Sequence, residues 1–142
     1  MNIYFACSIT GGRDFETAYQ TITQTLLESG HQVPTSHLAE SGVVDLEKIV
    51  DAHEIYNRDV TWIQACDALI AEVSTPSHGV GYEVAYALGL CKPVLCCYQA
   101  GQMVSKMITG NPDVNLLVVP YRDSYQVAEI VHKFINDLRK RL

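Results

Sequence analysis

Glu83 follows a polar, glycine-bearing stretch, STPSHGVGYEVAYA at 74–87, which begins where an apolar run ends at Val73. Val80, Val84, Ala87 and Leu88 recur at helical spacing, and Glu83 falls on the same face, three residues after Val80 and four before Ala87. An ionised carboxylate on a packed face is costly without a partner. Ahead of it, Ser74, Thr75, Ser77, Gly79 and Gly81 offer hydroxyls and unencumbered N–H groups at a helix N-terminus, where a phosphate is well received. Such a loop could hold a phosphate while its helix aims a nucleophile at the attached sugar. The plainer alternative is a tight strand-to-helix turn with Glu83 facing water. Asp59 is the second anomaly, because it lies among Ile49, Ala52, Tyr56, Val60 and Ile63, a set spaced as one helix face. Pairing with Arg58 or Arg13 would explain it without any chemistry.

The elements that must position these acids follow from periodicity. NIYFAC, 2–7, is a buried strand ending in the glycine turn SITGGR, a second loop suited to phosphate or sugar. Phe15, Ala18, Tyr19, Ile22 and Leu26 predict a helix from about Asp14 to Ser29, closed by Gly30. HQVPTSHL, 31–38, is expected as a second, short strand limited by Pro34, with His37 emerging at its end as either a solvated loop residue or a ligand contact. AESGVVDLEK, 39–48, is expected as a loop before a long helix that starts at Ile49. ALIAEV, KPVLCCY and NLLVVP supply three more strands, VSKMITG a short helix containing Ser105 and Met107, and Val127 to Leu138 an amphipathic last helix. Strands alternating with helices at this spacing predict an α/β fold, a single domain over 1–142 built on a doubly wound five-stranded parallel sheet of flavodoxin or Rossmann type. Its loops would converge at the carboxyl edge. Gly79 and Gly81 do not make a dinucleotide fingerprint, since Val84 stands where a third glycine would be needed.

Composition narrows the class. The 142 residues are 48% hydrophobic with a formal charge of −6, which suits one packed core and opposes a groove for a nucleic-acid polymer. The five cysteines form no CxxC pair and no metal spacing with histidine, so neither metal nor cofactor is expected and a reducing compartment is. With no apolar run approaching about 18 residues, and with MNIYFACS too short and lacking the basic start of a signal peptide, neither a membrane span nor a signal peptide is expected. The cytoplasm is the expected location, with the nucleus open by diffusion.

YFACSITGGR, the block HEIYNRDVTWIQACDALIAEVSTPSHGVGYE and VSKMITG, in that order, resemble the 2'-deoxynucleoside 5'-monophosphate N-glycosidases of the nucleoside 2-deoxyribosyltransferase superfamily. The resemblance runs from about Ile3 to the final helix. It implies Glu83 as nucleophile, Asp59 as acid/base and Tyr4 as the residue that orients the glutamate. It implies the 5'-phosphate at Ser8, Ser77, Gly79 and Ser105, with the Ser105 and Met107 segment reaching in from a second subunit of a homodimer, and the base between His37 and Ile9. Thr10, Gly11, Gly12 and Arg13 complete the first loop. Cys7 stands where the family has glycine and Thr10 where it has arginine, which removes a fixed cation and leaves Arg13 as the candidate substitute. The expected reaction is hydrolysis of an N-glycosidic bond, whose oxocarbenium-like transition state two carboxylates can serve. The alternatives are transfer of the deoxyribosyl group to another base, and nucleotide binding without catalysis.

Overall fold

The computed structural model describes residues 1–141. Four strands, β1 (Ile3–Ala6), β2 (Ala68–Glu72), β3 (Val94–Gln99) and β4 (Leu116–Tyr121), form a parallel sheet in chain order. Each of the first three is an apolar run because the sheet is covered on both faces, as parallel sheets are. Alternate residues therefore enter different cores. Ile3, Phe5, Ile70, Leu95 and Cys97 pack with α1 (Glu16–Glu28) and α6 (Ser124–Arg141). Tyr4, Ala6, Leu69, Ala71, Val94 and Cys96 pack with Ile63 of α3 (Ala52–Ala65) and with Val80, Val84 and Leu88 of α4 (His78–Gly89). Tyr4 thus points to the α3 and α4 side of the sheet, the side that carries both acids.

The sheet has four strands among the described residues rather than the five expected, and the difference lies in 31–38. Gln32 forms a single bridge with Asn2, and its carbonyl accepts from the Ile3 N–H at 2.8 Å. Pro34 then removes a donor, and the Ser36 N–H closes a turn on the Val33 carbonyl at 3.0 Å, opening a 3-10 helix at Ser36–Ala39. The Phe5 N–H, which a fifth strand would have satisfied from its backbone, instead donates to the Thr35 hydroxyl at 2.9 Å.

The following segment is also corrected. Part of the stretch expected as a loop is a helix, α2 (Val43–Ile49), entered through Gly42 at φ 84°. The long helix expected from Ile49 begins instead at Ala52, where the Asp51 carboxylate caps the His53 N–H at 3.0 Å. Ile49 ends α2 and is 82% exposed, and Tyr56 is also exposed, so of the periodic set only Ile63 is buried on the core. Elsewhere the boundaries agree with the sequence pattern. Gly30 closes α1 at φ 78°, Ser77 caps α4, and α5 (Lys106–Thr109) ends at Gly110.

Candidate active site

Two loops meet at the carboxyl edge of the sheet, one after β1 and one after β2. Their approach is close enough that a Cβ on Gly11 would lie 2.5 Å from the Pro76 carbonyl oxygen and 3.0 Å from Ser8 Oγ. Gly12, at φ 128°, takes a backbone that L side chains rarely adopt. Beneath this contact Ser8 is fully buried, and its hydroxyl has no protein partner. A buried unpaired hydroxyl is costly, and the Ser8 hydroxyl has a donor to spare. On the facing loop Ser77 accepts the Val80 N–H at 3.3 Å, which leaves its own O–H free to donate.

Arg13, the candidate substitute for the missing cation, is bonded within its own chain. Its Nε bonds Glu16 at 2.8 Å, Nη1 bonds the Ser8 carbonyl at 3.0 Å, and Nη2 bonds the Glu40 carbonyl at 3.0 Å, with the guanidinium over the Tyr19 ring. It clasps the first loop to the chain after the 3-10 helix. Thr10 is exposed, and Ile9 is half-buried against the α1 side of the core.

Glu83 is held from the sheet. The Tyr4 O–H donates to Glu83 Oε1 at 2.5 Å, and Tyr4 is itself fully buried within β1. Burial pushes the Glu83 carboxyl up to about 7, with the nearby charge of Asp59 adding to the rise and the Tyr4 hydrogen bond opposing it. Burial and the Glu83 charge push the Tyr4 phenol far above its usual range, so Tyr4 remains a donor throughout the working pH. Glu83 is therefore half-buried and held toward the sheet.

Asp59 is held from the helices. Arg58 Nε donates to Asp59 Oδ1 at 2.8 Å, while Nη1 and Nη2 of the same guanidinium each donate to Glu47 Oε1 at 3.2 Å. The guanidinium lies over the Trp62 ring, 5.1 Å from its centroid. Glu47 Oε1 also meets His37 Nε2 at 3.3 Å, and His37 packs edge-on to Trp62. Burial raises the Asp59 carboxyl above its ordinary value, Arg58 opposes this, and Glu47 adds to it. The pairing with Arg58 and the site position are thus both present.

Two contributors were not singled out in the sequence. Glu47 lies on α2, in the part expected to be a loop, where an acid carries no signal. Glu72 is fully buried at the end of β2, where it accepts from the Ser74 O–H, the Ser74 N–H at 3.3 Å and the Tyr121 O–H at 3.0 Å. Burial raises its carboxyl, yet its partners all donate, which marks the ionised form. Ser74 Oγ in turn accepts the Gln99 N–H at 2.8 Å, so Glu72 ties together the ends of β2, β3 and β4 below the 74–77 loop. An acid closing an otherwise apolar strand was its sequence signal.

Ser105 and Met107 line a cavity to which the carboxylates of their own chain do not contribute. The cavity, of about 750 Å³ on a flank of α4, is lined also by Ser77, Val80, Val84 and Met103, and neither Glu83, Asp59 nor Tyr4 is in its walls. Ser105 caps α5 by accepting the Met107 N–H at 3.2 Å. Among the described residues no group of three or more His, Cys, Asp or Glu is placed to hold a metal ion, and no helix is long and apolar enough to cross a membrane.

The fold and the site together define an α/β protein with two neighbouring half-buried carboxylates beside hydroxyl-rich loops. The sequence pattern of the nucleoside 2-deoxyribosyltransferase family matches residues 3–131, and the chain belongs to that family. It is 36% identical over 143 residues to a 5-hydroxymethyl-dUMP N-hydrolase of Danio rerio, with 99% of each chain covered. A Methanosarcina mazei protein, provisionally named a 2'-deoxynucleoside 5'-phosphate N-hydrolase 1, is 40% identical over 137 residues, 96% of this chain and 85% of its own. Among solved structures, the CMP N-glycosidase of Clostridium botulinum superposes with a TM-score of 0.73 at 15% identity, covering 94% of this chain and 99% of its own, a likeness of fold.

Proposed function

We propose that this chain hydrolyses the N-glycosidic bond of (2'-deoxy)nucleoside 5'-monophosphates, releasing the free base and the sugar 5-phosphate, with Glu83 as nucleophile. The observation that carries this reading is the pair of enclosed carboxylates, Glu83 on the Tyr4 hydroxyl and Asp59 on Arg58, beside loops of neutral donors. The names of the relatives point to the same bond and to nucleotide substrates.

In the first step a Glu83 carboxylate oxygen attacks the anomeric carbon. The carbon–nitrogen bond breaks with its electron pair going to the base, which takes the proton of Asp59. In the second step Asp59, now ionised, removes a proton from water, whose oxygen attacks the same carbon and displaces Glu83. Both steps balance without a metal or cofactor. Tyr4 orients Glu83, and its hydrogen bond favours the ionised, attacking form. Ser8, Thr10, Gly11, Gly12, Ser77 and Gly79 receive the phosphate, while His37 and Ile9 flank the base.

In this reading the chain acts as one domain, in a homodimer in which Ser105 and Met107 of one subunit complete the site of the other. The absence of Glu83 from the cavity that these residues line in their own chain supports it, as does the exposure of Met103 and Met107, 89% and 84%, beside that cavity. The five cysteines are free, which suits the cytoplasm.

Incubation with a panel of nucleoside 5'-monophosphates and free nucleosides, with and without an acceptor base, tests the reaction by chromatography of the bases. Release of free base from monophosphates is expected. Exchange onto the acceptor without net hydrolysis would make the chain a transferase, and binding without release would make it a nucleotide-binding module. Sedimentation at low protein concentration tests the dimer, and a fully active monomer would remove the shared site.

A further inference from the structure

Glu47 is the one acid at the cleft to which the reaction above gives no task, yet it is bonded into the acid/base end from two directions. Its side chain is only 12% exposed, and it comes from α2, an element that contributes no other group to the carboxylate pair. Oε1 alone accepts both Nη1 and Nη2 of Arg58 and meets His37 Nε2. The guanidinium is thereby stretched between two carboxylates, Glu47 on its far edge and Asp59 on its near one, with its flat face on Trp62. On the Asp59 side the bond engages Oδ1, and among the described residues Oδ2 accepts no hydrogen bond. Oδ2 is the oxygen left to carry a proton.

We propose that Glu47 is a positioning residue: it anchors the Arg58 guanidinium so that Arg58 occupies Oδ1 of Asp59 and leaves Oδ2 to the departing base, and it takes up part of the cation's charge. The proposal rests on Asp59 being the acid/base of the reaction above. The physical reason is a conflict at Asp59. A general acid must hold its proton at working pH, and an arginine bonded to a carboxylate works against that. Yet without the arginine Asp59 has no fixed orientation. Sharing the cation with a second acid keeps the orientation and weakens the electrostatic pull. The charged and titratable groups facing Asp59 are Arg58 beside it on α3, Glu47 on α2, His37 from the 3-10 helix, Tyr4 from β1 and Glu83 on α4. Glu47 is the member of this set that touches Arg58 without touching Asp59, so its removal changes Asp59 through the guanidinium and through its own lost charge, both in the same direction.

The test follows the Asp59 carboxyl directly by carbon-13 NMR titration in Glu83→Gln protein, where the competing titration of Glu83 is gone. Adding Glu47→Gln should lower the proton affinity of Asp59 by roughly tenfold, Glu47→Asp should restore part of it, and Arg58→Gln should move it the opposite way. A residue that merely held the fold would not give opposite displacements from its own loss and its partner's. In protein with Glu83 intact, Glu47→Gln should lower kcat for a nucleoside monophosphate about tenfold with little change in KM. If the Asp59 titration is the same with and without Glu47→Gln, the proposal is overturned. Should that variant not fold, Arg58→Lys serves, because an ammonium cannot bond both carboxylates as the fork does: kcat should fall, and an unchanged kcat overturns the proposal. Asp59→Asn run alongside separates the two ideas. If it retains activity, the acid/base reading fails by itself, whereas the titration measures the Glu47 bridge without any turnover.

Discussion

The two halves of the cleft enclose the same chemical group by opposite means. On the sheet side Glu83 is half-buried against a single neutral donor, the Tyr4 hydroxyl at 2.5 Å. On the helix side Asp59 keeps a full cation at 2.8 Å, but that cation is divided with Glu47. A neutral donor cannot offset desolvation of a carboxylate, so the Glu83 proton is retained up to about pH 7. On Asp59 burial also raises the carboxyl, and the shared cation opposes that rise. Near neutrality the pair therefore gives up its last proton, and in the proposed reaction the microstate that reacts carries that proton on Asp59.

The most severe way to break the comparison is Glu83→Gln, which keeps shape and removes the proposed nucleophile. Turnover should fall by roughly 10³ or more while nucleotide affinity persists, measured as kcat and as binding of an unreacted monophosphate. Appreciable residual turnover would unseat the nucleophile. Asp59→Asn should cost about 10² to 10⁴ in kcat, and a loss below tenfold would return the aspartate to a purely structural partner of Arg58.

A third change probes the phosphate end, which both halves serve. With Arg13 bonded within its loop, the proposed phosphate site relies on neutral donors, each hydrogen bond to a charged acceptor contributing about 1.5 to 3 kcal/mol. Ser77→Ala should lower kcat/KM for a monophosphate by roughly ten- to a hundredfold and leave the free nucleoside nearly untouched. Equal losses on both substrates would misplace the phosphate.

The pH dependence sharpens the contrast. As pH rises through about 7 the pair loses its last proton, none remains for the leaving base, and kcat/KM should decline by about tenfold per pH unit. The same shift has a stability consequence of opposite use. The Glu83 pKa in the folded chain lies above its unfolded value of 4.5, so its stabilising contribution is complete below that value and is lost as pH rises through about 7. Glu83→Gln should then be more stable than wild type at pH 8, by roughly 1 to 2 kcal/mol, with the difference vanishing near pH 4.5. Thermal unfolding at the two pH values measures it, and a Gln variant less stable at pH 8 would mean that the carboxylate is better satisfied than its single donor suggests.

The same division marks what could be read in the chain. The half built on Glu83 was legible from residues alone, because a buried parallel strand, a glycine-bearing loop and a capped helix each carry local signals: an apolar run at 68–71, Ser77 at the cap, Val80 and Val84 at helical spacing. Those signals placed Glu83 inward before any contact was known. What tertiary structure alone decided lies between 31 and 50. Whether Gln32 to Thr35 became a strand depended on whether the Phe5 N–H took a backbone or a side-chain acceptor, and it took the Thr35 hydroxyl. Whether Glu47 mattered depended on α2 folding back to present it to Arg58, eleven residues further on. Local sequence fixes a helix or a strand through its own backbone. A carboxylate that acts only by sharing another residue's cation has no local signature, because its role exists only once the two chain segments have met.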